Sequence, residues 1–147
     1  MKLSAKSRYA LAALIEMGQN CMAEKPVTIA SLSDKLGISK IYLEQVFSLL
    51  KRGDVVVSIK GAQGGYQLSR PMREISAYDI LSSIESSLFE QPSQTVAEAA
   101  PNIESVMQDD VFKELDAVIA AALKKITLDA LVASAGQYGD VGYMYYL

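Results

Sequence analysis

Two short helical patterns joined by a turn that contains glycine constrain the fold of this chain more than any other feature. The first pattern follows a capping residue at Thr28, covers about residues 29–36 and ends at Gly37, a residue that readily terminates helices. The second pattern, "KIYLEQVFSLLKR", follows a capping residue at Ser39 and covers about residues 40–52. Two helices separated by so short a turn have the dimensions of a helix-turn-helix.

The stretch "SIKGAQGGYQLSRP" follows the second helix and places Gly61, Gly64 and Gly65 between two strand-like segments. A phosphate-binding glycine loop leads from a strand into a helix, whereas this loop returns into a strand. The pattern therefore predicts a β-hairpin with a glycine tip. A helix that begins after Ser4 precedes the helix-turn-helix, so the order of elements predicts a winged helix-turn-helix with the hairpin as its wing.

The second half of the chain is predicted to be helical. Ser76 and Asp79 have the spacing of a capping box at the start of a fourth helix. Residues 86–101 lack periodicity and are expected to form a connection. A helix over 111–126 follows, with apolar residues at alternating steps of four and three that are typical of helix pairing. These residues, expected to form a dimer interface, are Val111, Leu115, Val118, Ala122 and Ile126.

The predicted fold class is mainly α with a small β-hairpin. We expect a DNA-binding winged helix-turn-helix region over 1–76, a helical connection and dimerisation region with a long helix over 77–135, and a loose aromatic tail over 136–147. We see no signal peptide and no apolar run long enough to cross a membrane. The single cysteine fits a reducing cytoplasm, where we expect the protein to act.

The charge distribution indicates a polyanionic partner. The net charge is −3, but residues 1–76 carry 11 Lys and Arg against 6 Asp and Glu, whereas residues 77–147 carry 3 against 11. A basic first half favours contact with nucleic acid, although chance segregation of solvated charge is the alternative. Histidine is absent, which excludes Ser/His and Cys/His nucleophile pairs and His-ligated zinc. An enzyme would have to use carboxylates, Lys or Tyr, and no motif supports one, so we predict no enzyme activity. We also expect no cofactor and no metal site.

The second helix of a helix-turn-helix enters the major groove, where Gln can pair with adenine and Glu can accept from cytosine. Glu44 alone could also be an ordinary solvated residue, and the glycine tip could be a bare turn. Basic residues would neutralise phosphates, and the small wing tip would enter the minor groove. The residues expected to contact DNA are Lys6, Arg8, Ser39, Lys40, Tyr42, Glu44, Gln45, Ser48, Lys51, Lys60, Gly61, Gln63, Gly64, Gly65 and Tyr66.

Four stretches carry a resemblance that covers nearly the whole chain: "MKLSAKSRYALAALIEM", "GISKIYLEQVFSLLKRGDVVVSIKGAQGGYQLSRP", "ISAYDIL" and "ITLDAL". With them the chain resembles the Rrf2 family of winged-helix bacterial repressors. The resemblance implies a homodimer joined through the long C-terminal helix and bound to a nearly palindromic operator. It also places Glu44 and Gln45 on the base-reading part of the recognition helix, and Lys60 where many members have Arg.

Family members that bind an iron–sulfur cluster hold it with three closely spaced cysteines after the fourth helix. The matching connection, residues 86–110, contains neither Cys nor His, so we expect no cluster. The chain is then nearer the cysteine-metabolism repressor branch, in which a cysteine synthase can act as partner. By resemblance, Tyr145, Tyr146 and the Leu147 carboxylate would dock in such a partner, or would instead pack on the protein's own dimer.

Two alternatives to this prediction stay open. Cys21 would be a redox-sensing thiol if it lay in an electropositive, accessible setting, whereas a lone cysteine is usually a small buried hydrophobe. A protein-interaction module that works through its C-terminal tail is the other alternative.

Overall fold

The computed structural model describes residues 2–20 and 25–146, with side chains described as far as residue 139. Its first three helices are α1 (Ala5–Gln19), α2 (Ile29–Leu36) and α3 (Lys40–Arg52). The predicted caps are confirmed: the hydroxyls of Ser4, Thr28 and Ser39 each accept a hydrogen bond from a backbone N–H in the first turn, at 3.1 to 3.2 Å. Gly37 ends α2 in the left-handed conformation, with φ of 68°.

The predicted hairpin is also confirmed. Strand β1 (Val56–Ile59) pairs with β2 (Gly65–Leu68) in an antiparallel register that places Ile59 opposite Gly65. Val27 adds one bridge to the outer edge of the hairpin, because its backbone N–H and carbonyl both bond to Tyr66 at 2.8 Å. The hairpin is therefore tied to the segment between α1 and α2.

The chain then forms a 3₁₀ turn (Met72–Glu74) and helix α4 (Ala77–Ile84). The capping box at the start of α4 is present, with Asp in place of the usual Glu or Gln. A long helix follows in three parts, α5 (Pro101–Val106), a π-helical segment (Met107–Phe112) and α6 (Lys113–Lys125). The last helix is α7 (Leu128–Tyr146).

One hydrophobic core joins the two halves. Helix α1 packs against α3, α4 and α7, and its Ala10, Ala13 and Leu14 are fully buried. Core side chains from α3 and α4 include Phe47 and Ile80. The N-terminus of α1 is fixed on α4 by Glu85, whose carboxylate accepts hydrogen bonds from the backbone of Ser4 at 2.8 Å and the hydroxyl of buried Ser7 at 2.9 Å. Hydrogen bonding from Ser4, and then from Ser7, lowers the pKa of Glu85.

The structure corrects the predicted boundaries of the second half. Residues 101–110 were expected in a connection but are helical, so the long helix begins at Pro101, a residue well suited to a first helical turn. The helix ends at Lys125, which leaves Ile126 outside it in an extended conformation. The loose tail predicted over 136–147 is wrong as far as Tyr146, because α7 continues to that residue.

Glu104 fixes the connection that precedes the long helix. Its buried carboxylate accepts hydrogen bonds from the backbone N–H groups of Thr95 at 2.9 Å and Val96 at 3.2 Å. These two bonds lower the pKa of Glu104. The connection thus has an ordered path over α5. Within the described ranges, no helix combines the length and apolar character that crossing a bilayer requires.

Candidate nucleic-acid interface

Helix α3 is held by one buried row and leaves the opposite side exposed. Leu43, Val46, Phe47 and Leu50 are fully buried and attach the helix to the core. Ser39, the N-cap, is exposed as well. All six α3 side chains that the sequence predicts to face DNA are exposed, namely Lys40, Tyr42, Glu44, Gln45, Ser48 and Lys51.

The exposed side chain of Tyr42 is restrained by a contact with a second aromatic ring. Its ring meets the ring of Tyr9 edge to face, with centroids 5.6 Å apart and planes at 77°. This contact joins the first turn of α3 to α1, the helix that carries the predicted phosphate contacts Lys6 and Arg8. Arg8 is exposed, whereas Lys6 is half-buried. The structure thus places these two cations beside the recognition helix rather than on it.

The hairpin tip is a narrow turn that requires glycine. Gly61 has φ of 112°, in the region that side chains disfavour. A Cβ on Gly64 would lie 2.2 Å from the carbonyl oxygen of Ile59, so no side chain fits there. Lys60 and Gln63 are exposed beside these glycines. The tip therefore presents a cation and an amide on a backbone of small cross-section.

Gly65 and Tyr66 begin strand β2, directly after the tip, and both contact the rest of the domain. A Cβ on Gly65 would lie 2.5 Å from the backbone of Val27, so this glycine permits the segment that contains Val27 to approach the hairpin. The ring of Tyr66 packs on Phe47, with centroids 4.8 Å apart. The structure thus gives both residues a part in attaching the wing to the core, while their contact with DNA remains a prediction.

Arg70 is a residue at the base of the wing that the sequence did not single out. Its Nη1 donates to the carbonyl of Asp54 at 2.8 Å, and its Nε donates to the carbonyl of Glu74 at 2.9 Å. It also forms an ion pair with Asp79, at 3.0 Å. Desolvation raises the pKa of Asp79, but the hydrogen bonds from Ser76 and the charge of Arg70 outweigh it and lower that pKa. No local pattern marks this role, because Asp54 and Asp79 lie in other elements of the chain.

The predicted phosphate contacts form no ion pair with any residue that the structure describes. In the part of the chain that the structure describes, ion pairs join Lys35 to Glu16, Arg70 to Asp79 and Lys113 to Asp109. None of them uses a predicted DNA contact. The cations on α1, α3 and the wing are thus available for an external anion: Lys6, Arg8, Lys40, Lys51 and Lys60.

A second surface, on the long helix, is apolar. Val111, Leu115 and Val118 are 45%, 53% and 56% exposed, and Ala122 is exposed as well. These four residues are called the apolar stripe below. Ile126, the fifth predicted member, is 40% exposed and lies beyond the helix, where its carbonyl accepts from the backbone of Ala77. Ile103 and Val106 on α5 are also more than half exposed, and the sequence prediction missed both.

The donors for an iron–sulfur cluster are not at hand. Residues 86–110 contain no cysteine or histidine, and the chain has one cysteine in all. Among the residues that the structure describes, no three His, Cys, Asp or Glu side chains are grouped as metal ligands would be. Because such clusters are held by several thiolates, these residues do not fit one. Cys21 and Leu147 lie outside the described residues, as do the side chains of Tyr145 and Tyr146.

Comparison with known proteins identifies the fold and the family. Residues 3–134 match the Rrf2 family, described as iron-dependent transcriptional regulators. The HTH-type transcriptional regulator IscR of Pectobacterium carotovorum is 33% identical over 132 residues, which are 90% of this chain and 79% of that protein.

Two solved structures share the architecture. CymR (YrzC), the global cysteine regulator of B. subtilis, has a TM-score of 0.71 at 28% identity, with 91% of this chain and 98% of that chain covered. IscR of T. potens has a TM-score of 0.67 at 30% identity, with 92% and 88% covered. These matches confirm that the hairpin is the wing of a winged helix-turn-helix. The chain belongs to the Rrf2 family of transcriptional regulators.

Proposed function

We propose that this regulator binds duplex DNA as a symmetric homodimer and represses genes of cysteine or sulfur metabolism without an iron–sulfur cluster. The observation that carries the proposal is the surface formed by α3 and the hairpin tip. It presents groove-sized elements whose exposed cations have no partner in the described chain. We propose no catalytic role, in keeping with relatives that are transcriptional regulators.

The geometry supports a defined docking mode. The N-terminal end of α3 would enter the major groove, where Glu44 and Gln45 face the base edges. The narrow tip with Gln63 would lie in the flanking minor groove. Lys60 and Lys51 would meet phosphates on either side. Both elements are fixed to the core by Phe47, Tyr66 and Arg70, so little ordering is needed when DNA binds.

The apolar stripe supports the homodimer. Large aliphatic side chains exposed in one row on a helix mark an association surface, since a monomer gains nothing from leaving them in water. A two-fold axis would bring the stripe of one chain against the same stripe of the partner. The two recognition helices would then read the two halves of a nearly palindromic operator.

The donor set supports a function without a cluster. The family is described as iron-dependent, but this chain has one cysteine and no histidine. Identity to the B. subtilis cysteine regulator and to the T. potens IscR is almost equal, at 28% and 30%. Identity therefore does not separate the two branches, and the missing thiolates are our reason for favouring the cysteine-related one.

A cysteine synthase is the protein partner that this branch suggests. The aromatic end of α7, with Tyr145, Tyr146 and Leu147, would supply the docking segment. A chain that lacks these three residues should no longer retain a cysteine synthase in a pull-down if the segment docks there. Retention by the shortened chain would show that the segment instead serves another purpose, such as packing on the dimer.

DNA binding is tested by measuring, at several salt concentrations, the affinity for the DNA upstream of the protein's own gene. Footprinting locates the site. We expect the logarithm of the association constant to fall steeply with the logarithm of salt concentration. Lys60→Ala should reduce that slope by about one for each chain in contact. The matched control is Lys125→Ala, an exposed lysine at the end of α6, which should leave the slope unchanged. Absence of binding to any duplex in dilute buffer would refute the proposal.

A further inference from the structure

Ile41 is an exposed aliphatic residue on the helix that is expected to contact DNA. An aliphatic side chain contributes nothing to phosphate binding. Ile41 is the second residue of α3 and is 70% exposed. Among the large apolar side chains of the described residues, only Tyr138 is more exposed, at 80%. A scattered surface isoleucine needs no explanation in itself. An isoleucine exposed on the recognition helix, however, does need an explanation.

At about 100° per residue, Ile41 lies roughly opposite the buried row of Leu43, Phe47 and Leu50. Gln45 and Ser48 continue the same outward row by one and two turns. The ring of the neighbouring Tyr42 packs edge to face on that of Tyr9. Ile41 is therefore the first outward side chain of α3, at the end that goes deepest into a major groove.

We propose that Ile41 determines operator specificity by packing on the 5-methyl group of a thymine in the major groove. The inference rests on the proposed DNA-binding function and adds to it the base that one position of each half-site must have. Thymine is the only standard base that presents a methyl group in this groove.

The same side chain would act against other bases. Adenine and cytosine present amino groups in the major groove. An isoleucine packed on such a group offers it no acceptor and excludes water from it, which makes the contact unfavourable. The polar neighbours Lys40 and Glu44 can make hydrogen bonds to adjacent positions, whereas Ile41 reads only by apolar contact.

The experiment begins with selection of preferred duplexes from a random pool by the full chain. Each thymine of the selected duplex is then replaced singly by deoxyuridine, which removes the methyl group and nothing else. At one position in each half-site we expect binding about three- to fivefold weaker, as one buried methyl group implies. Ile41→Ala should bind the thymine and uracil duplexes equally at that position.

The matched control is Ile59→Ala, which removes a 38% exposed isoleucine from β1. This variant should keep the preference for thymine over uracil, because the wing is expected in the minor groove and the methyl group lies in the major groove. Selection of no duplex at all would overturn the proposed function and this inference with it. A selected duplex that tolerates uracil at every thymine, or a preference that survives Ile41→Ala, would overturn the inference alone.

Discussion

The Nη2 of Arg70 lies 3.0 Å from the carboxylate of Asp79, so the residue that follows the wing is bound to the first turn of α4. The same guanidinium donates to the carbonyl of Asp54, before β1, and to that of Glu74, the last residue of the 3₁₀ turn. One side chain therefore fixes both ends of the hairpin against the helical body. The orientation of the wing relative to α3 depends on this contact.

Arg70→Ala should lower the free energy of unfolding by about 1–2 kcal/mol. Charge-assisted hydrogen bonds contribute somewhat more than this when buried, but partial exposure of both side chains screens the pair. Urea unfolding measures the effect. Arg73→Ala, which removes an exposed arginine from the 3₁₀ turn, is the control and should change stability by less than about 0.5 kcal/mol. Equal losses in the two variants would contradict the role given to Arg70.

Glu85 predicts a pH dependence of stability. Its pKa is lowered in the folded chain from the ordinary 4.5 by hydrogen bonding from Ser4 and Ser7. A lowered pKa means that the stabilisation is complete above the ordinary value and is lost as pH falls through the folded value. Glu85→Gln keeps an acceptor but does not titrate, so its stability should fall less than that of the wild type between about pH 7 and about pH 3.

Urea unfolding at the two pH values measures this difference. Glu90→Gln, at an exposed position in the following connection, is the control and should retain the wild-type pH dependence. If Glu85→Gln lost as much stability on acidification as the wild type, the hydrogen bonds to Ser4 and Ser7 would have no part in the effect.

Two glycine substitutions should have opposite signs. Gly64→Ala places a Cβ against the backbone carbonyl of Ile59, which cannot move without opening the hairpin, so we expect a loss of about 1–3 kcal/mol. Gly136→Ala lies inside α7 with nothing within 4 Å of the new Cβ, and helix propensity predicts a gain of about 0.5–1 kcal/mol. Thermal unfolding of both variants gives the two signs. A neutral Gly64→Ala would show that the tip relaxes freely.

The proposed homodimer is tested by a charge in the apolar stripe. Leu115→Asp should shift the chain towards monomer at about micromolar concentration, because an unpaired carboxylate buried at an apolar interface is strongly unfavourable. Sedimentation measures the mass. Ala117→Asp places the same charge at an exposed position on another side of α6 and should leave the dimer intact. A monomeric wild type, or a dimer unaffected by Leu115→Asp, would remove the stripe from consideration as an interface.

The helix caps and the hairpin turn could be predicted, because each depends on residues that are close together in sequence. Ser4, Thr28 and Ser39 cap the helices as expected, and the glycine tip forms the expected turn. The start of the long helix could not be predicted from its period. The exposed residues Val106 and Val111 are five positions apart, which an unbroken α-helix would place on different sides, and there the helix adopts its π-helical turn.

The parts of the candidate site that depend on the type of individual residues could be predicted from the sequence. The polar residues of α3 and the tip lie on exposed positions as expected. Tyr66 is half-buried because its ring packs on Phe47, a contact between segments that are distant in sequence. The role of Arg70 could not be predicted from the sequence for the same reason. The prediction from the sequence omits Ile41, because it takes only the polar face of α3 as the surface that contacts DNA.

The π-helical segment has a consequence for how a partner chain sees this helix. In an unbroken α-helix, residues five positions apart would be separated by about 140° around the axis. The wide turn, in which the N–H of Lys113 donates to the carbonyl of Gln108, absorbs one residue and reduces that angle to about 40°. Ile103 and Val106 thereby come into phase with the stripe and lengthen it. Loss of a single residue from Met107–Phe112 would return this turn to α-helical geometry with the two ends still in phase. Insertion of one more residue would rotate the two ends by about 100° and split this continuous apolar surface into two.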